Sequence, residues 1–261
     1  MSGGRSTRLA LGAACAWLAL APVPGFAIDI TACGQVVPRG EVGHLRSDLA
    51  CGPVGPGVRL EGRATLHLNG FTIAGPGTAE NGGVSCGRRC RVIGPGQVSG
   101  FGVGVSGISI RITDVTVRGN DEAGVSIIGG VLVASNVVAE ENGIGIFVPG
   151  GRRLVARDVR ANDNVLAGLW ASGAKVKLLR IEALRNGRYG GVFLARNRRP
   201  KPRLVDSVVL DNDGLGGGYD VLAMRPGVRV IGSTCGRGAR VEGEGGSDTL
   251  TVVGALACLS D

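Results

Sequence analysis

Five asparagines constrain the fold of this chain more than any other feature. Their sequence numbers rise by 22, 22, 22 and then 26, and each follows a short run rich in Val, Ile and Ala. A side chain that returns at a nearly fixed interval of this length is typical of stacked coils, in which each repeat forms one winding. The interval therefore predicts a solenoid whose amides stack in one structural row. The five positions are Asn120, Asn142, Asn164, Asn186 and Asn212.

Apolar columns share the 22-residue interval. Their members alternate with polar neighbours such as Thr116 and Arg160, and this period of two is typical of a half-buried strand and not of a helix. We therefore expect an all-β solenoid of about eight coils between residues 58 and 241. The clearest inward column is Val115, Val137, Val159 and Ile181.

Composition agrees with one elongated β domain. Aromatic residues make up 3% of the chain, so the hydrophobic 44% consists mostly of Val, Leu, Ile and Ala, which suit strands and tight stacking. A chain of 261 residues is long for one ordinary domain but natural for one solenoid. We expect an N-terminal cap over residues 28–57, the solenoid over 58–245 and a C-terminal cap over 246–261.

Residues 1–27 have the pattern of a secretory signal peptide. Arg5 and Arg8 precede an apolar stretch over residues 9–21, and small residues stand at Gly25 and Ala27 for cleavage. Further along the chain, no uninterrupted apolar run approaches the ~20 residues needed to cross a bilayer. The sequence therefore predicts a protein exported to the periplasm or the extracellular space, with no membrane span.

Six cysteines follow the predicted cleavage site, and an even number in an exported chain indicates disulfides. Their spacing favours three local pairs, although six cysteines permit about 15 pairings. A zinc site is the weaker interpretation, because the CxxxC pair has no second cysteine or histidine pair at ligand spacing, and no metal site is predicted. The favoured pairs are Cys33 with Cys51, Cys86 with Cys90, and Cys235 with Cys258.

The segment Leu66–Ile73, with the sequence LHLNGFTI, and the Gly-Pro-Gly turns at residues 75 and 94 carry a family resemblance. Together with the Asn-Gly repeats, they resemble right-handed parallel β-helix proteins of the pectate-lyase-like fold. The chain is similar in particular to exported bacterial proteins with an LDLNGHTI-like first coil preceded by two cysteines, here Cys33 and Cys51. The resemblance implies a single-stranded right-handed parallel β-helix with disulfide-supported ends. A leucine-rich repeat fits less well, because regular leucines and helix-length return segments are absent.

One outward column combines acidic and basic side chains. If it is catalytic, its carboxylates would hold Ca²⁺ against a uronate while the arginine removes a proton, as in a polysaccharide lyase. Two carboxylates about 5 Å apart would instead suit glycoside hydrolysis with retention. The alternative is a cross-strand charge ladder with no further function. The column contains Glu141, Asp163, Arg185 and Asp211.

Two observations favour the charge ladder. A parallel column, Asp114, Asn136, Asp158, Arg180 and Asp206, shows the same mixture of signs. The chain also lacks the paired-Asp and Gly-His-Gly set of polygalacturonases and the Asp-Pro-His-Asp motif of alginate epimerases. No hydrolase or epimerase motif is therefore found, and enzymatic activity stays open.

Positive charge is concentrated in one segment. Residues 152–203 contain 14 Lys and Arg against three acidic residues, whereas the whole chain carries +8. The 22-residue shift aligns Arg153 with Lys175 and Lys177 with Arg199, beside a loop expected over residues 197–203. Such a strip would attract an anionic polysaccharide or cell-envelope polymer, while the scarcity of aromatic residues disfavours nucleic acid. The strip contains Arg152, Arg153, Lys175, Lys177, Arg196, Arg199 and Lys201.

Three functional hypotheses follow from these patterns. The first is an exported β-helix that binds an anionic polysaccharide or a cell-envelope polymer through the basic strip. The second is a lyase-like enzyme acting on uronate polymers through Arg185, with Ca²⁺ as a possible cofactor. The third is a noncatalytic structural or interaction module. The sequence favours the first and leaves oligomeric state undetermined.

Overall fold

The structure is a computed structural model that describes residues 27–77, 82–195, 201–224, 228–242 and 251–256. These ranges contain 24 strands and no helix. The predicted signal peptide lies outside them except for Ala27. The first twelve strands are β1 (Ala27–Ile30), β2 (Gln35–Val37), β3 (Val42–Leu45), β4 (Leu49–Ala50), β5 (Val58–Leu60), β6 (Thr65–His67), β7 (Thr72–Ala74), β8 (Gly82–Cys86), β9 (Cys90–Ile93), β10 (Gln97–Ser99), β11 (Val103–Arg118) and β12 (Ala123–Glu140). The second twelve are β13 (Ile144–Val148), β14 (Arg153–Arg160), β15 (Ala167–Ser172), β16 (Lys175–Leu184), β17 (Val192–Ala195), β18 (Arg203–Val205), β19 (Val208–Leu210), β20 (Val221–Ala223), β21 (Arg229–Ile231), β22 (Thr234–Cys235), β23 (Gly238–Glu242) and β24 (Thr251–Leu256).

The strands form three parallel stacks, because each strand pairs with the strand one winding away. Stack A contains β2, β5, β8, β13, β15, β17, β20 and β23, with the first parts of β11 and β12. Stack B contains β1, β3, β6, β9, β18 and β21, with the middle of β11 and β12 and the first parts of β14 and β16. Stack C contains β4, β7, β10, β19 and β22, with the last parts of the four long strands. The predicted all-β parallel solenoid is confirmed.

The stacks enclose one continuous core. In stack B, Leu132 pairs with Leu154 and Leu154 with Val176, so the 22-residue interval corresponds to one winding. The inward column that begins at Val115 is buried throughout, with each side chain 1% exposed. Alternation of Val, Ile and Ala with polar residues produces this arrangement, since successive side chains of a strand point to opposite faces.

The solenoid has about nine turns, one more than the sequence predicts. The difference arises at the N-terminus, where the segment assigned to a cap contains β1 to β4. Gln35 in β2 pairs in parallel with Val58 in β5, and Ala27 in β1 pairs with Val42 in β3. At the other end, β24 pairs antiparallel with β23 and covers the strand edge that the last parallel coil would leave open.

The five asparagines lie in a single buried row beside the entry to stack A. Each is at most 4% exposed. The Oδ1 atom of Asn164 accepts from the backbone N–H of Asn142 at 3.0 Å and from its Nδ2 at 3.2 Å, while Nδ2 of Asn164 donates to Oδ1 of Asn186 at 2.9 Å and to the carbonyl of Ala139 at 3.0 Å. Every buried amide therefore has partners, and the row connects adjacent coils.

Asp220 closes the row at its C-terminal end. Its Oδ1 accepts from the backbone N–H of Asn212 at 3.1 Å and from Asn212 Nδ2 at 2.9 Å. Its Oδ2 accepts from the backbone N–H groups of Gly236 at 2.7 Å and Arg237 at 3.0 Å. Asn164 donates its backbone N–H and its Nδ2 to Oδ1 of Asn186 in the same way, so the Asp220 carboxylate takes the place of the next asparagine in the row. The repeat interval does not predict Asp220, because this residue follows Asn212 by only eight positions.

Two of the predicted disulfides are present. Cys33 is bonded to Cys51 near the N-terminus, and Cys86 is bonded to Cys90 between stacks A and B. Cys235 is also disulfide-bonded. Its predicted partner Cys258 lies outside the described residues, so that pairing stays a prediction. The Cys86–Cys90 bond closes a short loop over Gly87, Arg88 and Arg89.

Candidate functional site

The two mixed-charge columns occupy the two corners on either side of stack C. Their residues share a left-handed backbone conformation, with φ of 56° at Asp163 and 52° at Arg185 in one column and 53° at Asp158 and 51° at Arg180 in the other. Asp and Asn tolerate this conformation better than most residues, which explains their recurrence at these corners. The backbone conformation therefore explains the composition of both columns without any catalytic role.

Arg185 and Asp163, the centre of the predicted catalytic column, form a bidentate ion pair. Nε of Arg185 lies 2.6 Å from Oδ1 of Asp163, and an Arg185 NH2 nitrogen lies 2.7 Å from Oδ2. The hydrogen bond from Arg185 lowers the pKa of Asp163, and the same bond raises the pKa of Arg185. A raised pKa keeps Arg185 protonated, and a protonated guanidinium cannot accept a further proton, so the pairing favours a charge ladder over a general base.

Other charged residues of the two columns also interact with a residue of opposite charge. Glu141 accepts from Arg118 at 2.6 Å and not from a member of its own column, while Asp211 contributes only electrostatically to Arg185. In the parallel column, Arg180 forms a bidentate pair with Asp158, whose pKa is lowered by this hydrogen bond. The side chains of both bidentate pairs are between 41% and 55% exposed, so solvent screens the charges and the pairs add little to stability.

The basic strip lies on the outward face of stack B. Arg153 pairs in register with Lys175, and both side chains are exposed. Together with three other cations they surround a shallow depression of about 180 Å³, whose floor consists of Leu154, Val155 and Val176. No acidic side chain among the described residues lines it. The five cations are Arg153, Lys175, Lys177, Lys201 and Arg203.

The predicted register of the strip is wrong at one position. Lys177 pairs with Arg203 and not with Arg199, because this coil is longer than the 22-residue interval. Arg203 begins a strand, whereas the sequence predicts a loop through that residue. The signal was available, because the interval between Asn186 and Asn212 is lengthened by the same amount. Arg196 and Arg199 lie outside the described residues, and Arg152 is exposed beside Arg153.

An aromatic cluster lies on the outward face of stack A, away from the strip. Phe147, Trp170 and Phe193 are neighbours in register, and Trp170 contacts both rings edge-on, with centroids 5.3 and 5.1 Å away. Tyr189 packs against Trp170 at 4.8 Å. Tyr189 and Phe193 are 7% and 0% exposed, so this cluster forms a second apolar core outside the solenoid.

Two histidines stack on the outward face of stack B near the N-terminus. The rings of His44 and His67 lie 5.0 Å apart and nearly parallel, and their residues pair in register. Burial, and then the positive charge of His44, lower the pKa of His67 below its usual value of 6.5. The histidine pair therefore links stability to pH.

The folded protein should lose stability as the pH falls through about 6.5, because the unfolded chain then takes up a proton that folded His67 resists. The loss should stop below the lowered pKa of folded His67. Thermal unfolding midpoints between pH 8 and pH 5 measure this effect, and His67→Gln should flatten the curve. An unchanged slope in this variant would assign the pH dependence to other groups.

The described residues contain no group of three or more His, Cys, Asp or Glu side chains that could hold a metal ion. They also contain no helix of the length and apolarity needed to span a membrane.

Comparison with known proteins gives similarity of fold alone. No protein-family model matches the sequence, and no curated protein matches it. Among solved structures, the Dettilon tailspike protein is 14% identical with a TM-score of 0.47, over 83% of this chain and 55% of that one. The A-module of a mannuronan C-5 epimerase from Azotobacter vinelandii is 14% identical with a TM-score of 0.41, over 82% of this chain and 80% of that one. The chain thus spans about half the length of the tailspike protein.

Proposed function

We propose that this protein is an exported β-helix that binds an anionic polysaccharide or a cell-envelope polymer along the outward face of stack B. The observation that carries the proposal is the depression surrounded by Arg153, Lys175, Lys177, Lys201 and Arg203. Its cations extend over three successive coils, and adjacent coils are roughly 4.8 Å apart. A polymer with regularly spaced anions can therefore contact several cations at once.

The contrast with the other charged columns supports this assignment. Arg180 and Arg185 are each paired with a carboxylate one coil away. By comparison, Arg153, Lys175 and Lys177 have no acidic partner among the described residues within ion-pair distance. Like charges stacked directly opposite each other destabilise a sheet, so the column has an energetic cost that an anionic ligand would offset.

Export is supported by the disulfides. The Cys33–Cys51 and Cys86–Cys90 bonds persist in an oxidising compartment, where an envelope polymer is also encountered. The N-terminal pattern of Arg5, Arg8 and the following apolar stretch provides the route. A noncatalytic binding role requires no further group, because five cations suffice for counterion release from a polyanion.

The combined variant Arg153→Gln, Lys175→Gln and Lys177→Gln should lower affinity for polygalacturonate or alginate on the order of 100-fold at low salt, because three of five contacts are lost. Affinity electrophoresis and calorimetry at low and at several-fold higher salt would measure this. The unaltered protein should itself bind on the order of 100-fold more weakly at the higher salt concentration, and the variant should show a smaller salt dependence.

A matched control removes the same charge from the other faces. Arg59 lies on the outward face of stack A, while Arg118 and Arg160 lie on stack C. Changing these three to Gln should leave affinity within about threefold, because only long-range attraction is reduced. Equal losses in both triple variants would refute a site on stack B and indicate attraction by net charge alone.

A further inference from the structure

A second cationic depression lies at the N-terminal end, where the chain turns from stack A into stack B. Its volume is about 670 Å³, within the range of small-ligand sites. Four arginines surround it, and no lysine or acidic residue lines it among the described residues. Ile108, the lining residue nearest to the strip, precedes Ser109, which is two windings from Arg153 in register, so roughly 10 Å separates this depression from the basic strip. The arginines are Arg39, Arg63, Arg88 and Arg89.

The loop that carries two of these arginines is closed by a disulfide. Cys86 and Cys90 bracket the sequence Gly87-Arg88-Arg89, and their bond leaves the loop no freedom to extend. The same turn is tied to the preceding coil, because the backbone N–H of Arg63 donates to the carbonyl of Arg88 at 2.8 Å and that of Gly87 to Leu60 at 2.9 Å. The backbone that presents the guanidinium groups is therefore held before any ligand arrives, which lowers the ordering cost of binding.

Four guanidinium groups around one depression favour a particular kind of anion. Each offers five N–H donors in a planar fork, which suits bidentate binding of a tetrahedral oxyanion. A carboxylate offers about four acceptor sites on two oxygens, whereas a phosphate or sulfate ester offers more sites on three terminal oxygens and can therefore accept more of the available N–H donors. Glu41 and Glu61 belong to the same turns, but neither lines the depression.

The depression also has space beyond the anion. Gly62 and Gly87 leave backbone exposed in its wall, and Ile108, which is 42% exposed, adds an apolar surface. A site of about 670 Å³ is much larger than one oxyanion. We infer that this depression is a binding site for a sugar-sized molecule that carries a phosphate or sulfate ester, with the four arginines binding the ester group. This site is independent of the polymer-binding strip.

Calorimetric titrations with glucose 6-phosphate, glucose 6-sulfate, glucuronate and glucose test the inference. Both esters should bind at least tenfold more tightly than glucuronate, and glucose should give no signal. Tighter binding of one ester would identify its source as a phosphate or a sulfate. Esters that bind no more tightly than glucuronate would overturn the assignment.

Substitutions separate this site from the strip. Arg39 and Arg88 lack the left-handed conformation of Arg63 and Arg89, so Arg39→Gln with Arg88→Gln removes two cations without backbone strain. This variant should lose at least tenfold in ester affinity, while Lys175→Gln with Lys177→Gln, of equal charge, should stay within twofold. Equal losses would refute a distinct site. Retention on polygalacturonate should fall in the Lys175→Gln, Lys177→Gln variant and not in the Arg39→Gln, Arg88→Gln variant. The two measurements therefore test the two proposals separately.

The disulfide gives an independent test. Cys86→Ser with Cys90→Ser should weaken ester binding at least threefold, because the loop carrying Arg88 and Arg89 is no longer held. A thermal unfolding midpoint recorded on the same sample shows that the solenoid is still folded. Unchanged ester affinity in the folded variant would contradict the positioning role of the disulfide.

Discussion

Replacing Asn164 with alanine should destabilise the folded protein by roughly 3–5 kcal/mol, because four buried hydrogen bonds disappear together. The backbone N–H of Asn142 and the carbonyl of Ala139 lose these partners at sites that no solvent reaches. Unsatisfied buried groups cost more than the missing bonds alone would suggest, since each loses its hydration on folding without compensation. Urea unfolding followed by circular dichroism would measure the loss.

The exposed residue Asn136 provides the matched control for this change. It lies in the corner column and donates to Asp114 at 2.7 Å, but its side chain is open to solvent. Asn136→Ala should cost about 1 kcal/mol, from the left-handed backbone that alanine tolerates less well. A comparable loss in the two variants would show that the buried row contributes nothing beyond its individual side chains.

The row of asparagines also explains how a chain with few aromatic residues specifies one register. A slip by one residue between two neighbouring coils would break the hydrogen bonds between their asparagine side chains. It would also turn the inward-facing side chains of the slipped strands outward. Coils of a solenoid contact only their neighbours, so each interface needs its own register signal. The side-chain hydrogen bonds from Asn142 to Asn164 and from Asn164 to Asn186 supply one such signal at each interface between two coils.

The sequence was sufficient for the fold because its signal is periodic. The 22-residue interval places Leu132, Leu154 and Val176 in one column, and these residues pair in register in the structure. Counting became unreliable wherever the length of a coil changes. Arg91 pairs with Thr65 across a coil that is longer than the regular interval, and with Arg111 across a coil that is shorter. A fixed interval therefore cannot align the arginines of the N-terminal depression, which lie in or next to these coils.

The candidate sites were less predictable for a second reason. A column of mixed charges has the same appearance in sequence whether its members pair or bind a ligand. In the structure, Arg185 is paired with Asp163, whereas Arg153 and Lys175 surround an open depression. The regular recurrence of Asp in the mixed-charge column of Asp163 and Arg185 results from the left-handed backbone conformation at these corners.

Asp220 is a second residue that the repeat interval does not predict, and its substitution should strongly destabilise the protein. It follows Asn212 closely in the chain, far short of the 22-residue interval, yet it completes the row by accepting four N–H groups while only 3% exposed. Asp220→Asn should destabilise the protein by roughly 2–4 kcal/mol, because an amide has one acceptor oxygen and its NH₂ would face backbone donors. Thermal and urea unfolding would measure this loss.

The neighbouring residue Asp213 separates the lost hydrogen bonds of Asp220 from the lost charge. It lies in the same turn, its side chain is exposed, and Asp213→Asn removes the same charge without removing a buried acceptor. This control should stay within about 0.5 kcal/mol of the unaltered protein. The backbone N–H groups of Gly236 and Arg237 should exchange with solvent faster in Asp220→Asn and at the normal rate in Asp213→Asn. Equal exchange in both variants would contradict the role assigned to the Asp220 carboxylate, because its two bonds to these groups join the last asparagine to the next coil.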